Sequence, residues 1–138
     1  MKNLKNYTSN VPIARTISRI EECLADAGAT GIMKDYKDGQ LAALTFRVQL
    51  PNGRPMSIRL PANHDAVLAN MMKAVKRPRQ GTLLKVREQA QKTSWKLMQD
   101  WVEVQLSLIQ MQQVDFVQVF LPYVWDGRTT FYDQLKSK

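Results

Sequence analysis

The chain has 138 residues, 44% of them hydrophobic and 23% charged, which suits one compact domain and excludes a disordered tail as its main state. Twenty Lys and Arg against twelve Asp and Glu leave a formal charge of +8, so an anionic partner is the first expectation. One cysteine, Cys23, and one histidine, His64, exclude a disulfide framework and a zinc site built from several soft ligands, and no cofactor is expected.

Met1 to Tyr7 lacks the apolar run of a signal-peptide core, which predicts a cytoplasmic protein. The longest apolar stretches, within Trp101 to Val104 and Val114 to Val124, are interrupted by Glu103, Asp115 and Gln118 and fall short of the roughly 20 residues a bilayer span needs. A short strand is expected around Leu4 to Ser9. From Pro12 to Ala27 the apolar residues Ile13, Ile17, Ile20, Leu24 and Ala27 recur at steps of 4, 3, 4 and 3, the spacing of one helical face. Asn10 suits its cap, Pro12 its first turn and Gly28 its left-handed stop.

After Gly28 the period drops to two, and Gly31 to Tyr36, Leu41 to Leu50 and Pro55 to Leu60 are separated by Asp38-Gly39 and Asn52-Gly53. This predicts an antiparallel meander. Leu44, Phe46, Val48 and Leu50 share one face of the second strand, and Met56, Ile58 and Leu60 one face of the third. A three-residue loop of Asn52, Gly53 and Arg54 would set Leu50 beside Met56, Val48 beside Ile58 and Phe46 beside Leu60. The register of the first strand stays open, because either Met33 or the pair Ile32 and Tyr36 suits a core face.

Helical patterns follow, from about Asn63 to Lys76, then from about Leu84 to Leu121, with Pro78 and Gly81 at the break and Pro122 at the end. The second would be about 55 Å long against an expected radius of gyration of about 14 Å. Such a helix must kink, project or pack against another copy, and a homodimer using Trp101, Leu108 and Met111 is the expectation. Thr130 to Lys136 reads as a terminal helical turn.

The charge is uneven. Residues 62 to 99 hold eight basic and two acidic side chains. Lys73, Lys76, Arg77, Arg79, Lys85, Arg87, Lys92 and Lys96 have only Glu88 among them, a pattern suited to a phosphate backbone. In the expected register Arg47 faces Arg59, an unfavourable pair unless an anion or a carboxylate intervenes. Asp26, Asp35 or Glu22 would supply one from within the chain; otherwise the face is open to a phosphate or an acidic partner. Trp95 reads as core rather than a base-stacking platform.

Catalytic patterns are missing: the chain has no phosphate-binding glycine loop, no dinucleotide fingerprint, no nucleophile elbow and no His-Glu-x-x-His. Asn63-His64-Asp65 reads as a helix start with Asn63 as cap. A non-enzymatic protein is expected, with no catalytic or metal-binding residue assigned.

The stretches from Ala14 to Ile32, Arg59-Leu-Pro-Ala-Asn63, Gln89 to Gln105 and Val119-Phe-Leu-Pro-Tyr123 together resemble a family of short uncharacterised proteins encoded by phages and integrated mobile elements. The resemblance implies a setting, phage DNA metabolism or the blocking of host machinery inside a bacterial cell, and no mechanism or site residue.

The expected architecture is a single α+β domain over residues 1–138: an N-terminal helix packed on a three- or four-stranded antiparallel sheet (1–61), then a helical half with one long helix (62–138). The expected function is nucleic-acid binding by the basic cluster, helped by Arg47 and Arg59. The alternative is an inhibitor or adaptor that docks on an acidic protein surface of a host defence or nucleic-acid-processing complex.

Overall fold

A computed structural model describes residues 12–73 and 80–137 of the chain. The apolar stripe beginning at Ile13 forms helix α1, Ile13–Asp26, and buries Ile17, Ile20 and Leu24. Its end is the predicted one. Gly28 adopts a φ of 101°, its N–H reaches the Ala25 carbonyl at 3.0 Å, and the Ala29 N–H reaches Leu24 at 2.9 Å, so the last carbonyls are satisfied. The proposed cap Asn10 and the strand at Leu4 to Ser9 lie outside the described residues.

Strands β1, Gly31–Lys37, β2, Gln40–Gln49, and β3, Pro55–Pro61, form an antiparallel sheet in the order β1-β2-β3. Asp38 and Gly39, at φ 54° and 78°, make the two-residue turn between β1 and β2. Ile32 then pairs with Phe46 and Met33 with Thr45, which settles the register left open, and an irregularity between Asp35 and Tyr36 shifts the pairing by one residue.

The register of β2 against β3 differs from the expected one by two residues. Leu44 lies beside Leu60, Phe46 beside Ile58 and Val48 beside Met56. The loop has three residues, but they are Pro51, Asn52 and Gly53: the Leu50 N–H reaches the Arg54 carbonyl at 2.8 Å and the Gly53 N–H reaches Leu50 at 2.8 Å. A type I turn closed by a left-handed third residue explains the difference, since Pro51 suits its second corner and Gly53, at φ 85°, its last position. A shift of two preserves both faces, so the apolar pattern alone does not detect it.

Asn63 caps α2, His64–Met72, by accepting the Ala66 N–H at 3.1 Å. Helix α3 spans Gln80–Gln110 and is shorter than expected. Gln112 takes a φ of 62°, its N–H reaches Ile109 at 3.0 Å, and the Gln113 N–H reaches Leu108 at 2.9 Å. This is the same carbonyl-satisfying stop as at Gly28, made without glycine. Asp115 then starts α4, Phe116–Phe120, through a capping box with Gln118, and a 3₁₀ turn, Leu121–Tyr123, follows. The last helix, α5 at Phe131–Lys136, is capped by Thr130 in a second box with Asp133.

The chain divides into two compact units, residues 12–20 with 62–101 and residues 21–61 with 102–137 among those described. In the first, the helical unit, Ile17, Ile20, Met71, Ala90 and Trp95 are buried, and the Trp95 and His64 rings lie 6.0 Å apart. In the second, the sheet unit, Leu44, Phe46, Ile58, Leu60, Val102 and Phe120 are buried, and Phe46 meets Phe120 edge-on at 5.7 Å and Phe116 at 6.3 Å. An isolated antiparallel bridge joins Val124 to Ile58 of β3.

Two variants test this account by urea unfolding. Phe46→Ala, which empties a site buried at 1% exposure, is expected to cost about 3–5 kcal/mol. Gln112→Gly, which relieves a left-handed non-glycine residue, is expected to gain up to about 1 kcal/mol.

Candidate functional site

The basic residues of the described helical unit are Arg15 and Arg19 on α1, Lys73 at the end of α2, and Lys85, Arg87, Lys92 and Lys96 on α3. Lys73 is exposed and donates to the Asn70 side chain at 3.4 Å. Lys85 and Arg87 are exposed, and Lys92 and Lys96 are half-buried. Steps of seven and four put Lys85, Lys92 and Lys96 along one side of α3, whereas Arg87, two residues from Lys85, projects elsewhere. Lys76, Arg77 and Arg79, the centre of the expected cluster, lie outside the described residues.

Which cations are neutralised follows from where the carboxylates are. Residues 1–11 and 74–79 contain no Asp or Glu, so all twelve acidic side chains lie in the described part of the chain. Among the described residues Lys96 pairs with Asp100 at 3.6 Å and Lys34 with Glu21 at 2.6 Å, and Arg59 pairs with Asp35. Lys73, Lys85, Arg87 and Lys92 take part in none of these pairs. The described helical unit has seven basic and three acidic residues, the described sheet unit seven and nine. The positive excess therefore belongs to the helical unit and to the undescribed segments.

On the outer face of the sheet, Arg47 stands opposite Gly31 on one side and Ser57 on the other, not opposite Arg59. Arg59 stands opposite Thr45, one row along. Its guanidinium donates to Asp35 and to the Thr45 hydroxyl, the latter at 3.5 Å, and lies 5.0 Å from the centre of the Trp125 ring. The expected intramolecular neutralisation is thus real for Arg59 and is supplied by Asp35. Trp125 went unnoticed in the sequence. It reaches this face because its backbone N–H donates to the Ser57 carbonyl at 3.0 Å and because it bridges to Thr130 across the turn Asp126 to Thr129. Asp126-Gly127 is the sequence signal for that turn.

Of the expected interface residues, Trp101 and Leu108 are half-buried and Met111 is 72% exposed. In the sheet unit Val104, Leu108 and Met111, at steps of four and three, line a groove of about 290 Å³. Among the described residues no helix is long and apolar enough to cross a membrane, and no group of three or more His, Cys, Asp or Glu side chains is placed to hold a metal ion. Comparison with protein-family models, with curated proteins and with solved structures finds no match to this chain.

The turn that positions Trp125 carries a pH signature. Asp126 accepts the backbone N–H groups of Thr129, at 2.9 Å, and Arg128, at 2.8 Å, and these hold its carboxyl below the ordinary value of 3.8. A lowered folded value means that the contribution to stability is present above the ordinary carboxylate range and is lost as pH falls through the lower folded value. Asp126→Ala should therefore lose less stability than the parent between about pH 5 and about pH 2, measured by thermal unfolding. Parallel acid limbs would uncouple the turn from stability.

Proposed function

We propose that this is a small, non-enzymatic nucleic-acid-binding accessory protein that contacts the phosphate backbone through its helical unit. The observation that carries the reading is the segregation of charge: Lys73, Lys85, Arg87 and Lys92 have no carboxylate partner among the described residues, where all twelve acidic side chains lie. Cations left without internal partners are held by counterions in the free protein, and a polyanion that replaces those ions gains their release entropy. Lys76, Arg77 and Arg79 add three more cations in sequence between α2 and α3 and no acidic residue. The arrangement favours backbone contact over base stacking, since Trp95, the aromatic residue within the basic stretch, is buried at 1% exposure. The resemblance to short proteins of phages and mobile elements fits such an accessory role in a bacterial cell.

A second reading is a protein-docking inhibitor or adaptor, or a homodimer, and it draws on the apolar stripe of exposed Val104, half-buried Leu108 and exposed Met111. In that case the protein would purify free of nucleic acid, with a single polypeptide partner or a doubled mass.

The deciding experiment is a nuclease-sensitive gel shift on the purified chain, repeated between about 50 and about 200 mM salt. Affinity is expected to fall steeply over that range, and Lys85→Ala combined with Arg87→Ala should lower the salt slope by about 1 to 2 without altering the melting temperature. Binding that ignores salt, or a double variant with an unchanged slope, would overturn the reading.

A further inference from the structure

The outer face of the sheet unit holds a second positive feature that the helical unit does not explain. Of its two arginines, Arg59 is neutralised by Asp35 and covers the Trp125 ring. Arg47 is exposed, and among the described residues no carboxylate pairs with it. The register explains the contrast. Arg59 has the carboxylate of Asp35 within reach, whereas the cross-strand neighbours of Arg47 are Gly31, which has no side chain, and Ser57, which has a short one. The Arg47 guanidinium accordingly lies over Gly31, where a Cβ would sit 3.5 Å from its Nη2.

Around Arg47 is a cavity of about 330 Å³ whose lining includes Gly31, Met33, Thr45, Ser57 and Trp125. That volume is at the small end of the range for small-molecule sites. Met33 is 44% exposed and Trp125 half-buried, so apolar and aromatic surface stands in the same cavity as an unneutralised guanidinium and the hydroxyl-bearing Ser57. A guanidinium presents a fork of donors matched to a carboxylate or a phosphate, and a flat apolar wall adds affinity for a ring or chain attached to it.

We propose that this cavity binds a small oxyanion, a phosphate or carboxylate on a compact apolar body, with Arg47 holding the charged end and Met33 and Trp125 the rest. The site lies in the sheet unit and is independent of nucleic-acid binding by the helical unit.

The test is titration of the full-length chain, labelled with ¹⁵N, with phenyl phosphate and separately with phenylacetate, using benzyl alcohol as the neutral control. Both anions should shift the Trp125 indole N–H resonance, assigned with Trp125→Phe, and the backbone resonances of Gly31 and Met33, and should do so at least tenfold more tightly than benzyl alcohol. Arg47→Gln should weaken anion binding by tenfold or more, while Lys85→Ala with Arg87→Ala leaves it unchanged. Should Arg47→Gln fail to fold, Met33→Glu, which brings a carboxylate to an exposed position in the cavity, gives the same readout and should abolish anion binding. A phosphate-only response assigns the site to phosphate esters, and a response to phenylacetate alone assigns it to carboxylates. Absent shifts, equal binding of benzyl alcohol, or binding retained in Arg47→Gln would each overturn the proposal, whatever the gel shift shows.

Discussion

The register of β2 against β3 is the constraint on which the chemistry of the sheet unit depends. It is fixed at one end by the Pro51-Asn52-Gly53 loop and along its length by the buried pairs Leu44 with Leu60 and Phe46 with Ile58. The same alignment decides the fate of two arginines on the opposite face. With the strands slipped by two residues, Arg47 would oppose Arg59, and like charges in direct cross-strand contact cost up to about 1 kcal/mol. In the observed register the two are diagonal. Arg59 turns to Asp35 and Trp125, and Arg47 is left over a glycine. The loop that stabilises the apolar core thus also separates a structural arginine from an available one.

Available charge is a matter of supply as well as geometry. The chain has twelve carboxylates, and nine of them lie in the described sheet unit beside seven cations. The described helical unit has three: Asp65 in the first turn of α2, Glu88 on α3, and Asp100, which is paired with Lys96. An acid at the start of a helix is favoured by the backbone dipole independently of any cation. Even a complete pairing of Glu88 would leave several cations of this unit to mobile counterions. Surface pairs of this kind contribute little to stability, so their absence costs the fold little.

Much of this was legible in the residues. The stripe of Ile13, Ile17, Ile20 and Leu24 specified α1, Gly28 its end, Asn63 the start of α2, and strand alternation the three-stranded sheet. Trp95, read as core rather than as a stacking platform, is buried. The registers were harder to read for a physical reason: period-2 patterning fixes which face is buried but is blind to slips of two, which only the turn geometry resolves. Pro51 carried that information. Trp125 was missed because its position on the sheet comes from a bridge to β3 across more than sixty residues of chain, and local pattern does not encode such a contact.

The end of α3 shows how a local signal is overlooked when a stronger one is followed. The apolar run continues through Val114, Val117 and Phe120, and hydropathy alone extends the helix to Pro122. The chain stops it at Gln110 with a left-handed Gln112, a conformation that costs a non-glycine residue roughly 1–2 kcal/mol. Downstream, Asp115 and Gln118 reciprocally satisfy backbone donors at the start of α4, a pattern visible in sequence as an acid followed three residues later by an amide. Phe116 and Phe120 are then placed against Phe46, with ring centres 6.3 and 5.7 Å from it. A stop at Gln112 therefore serves the aromatic core built on Phe46 of β2.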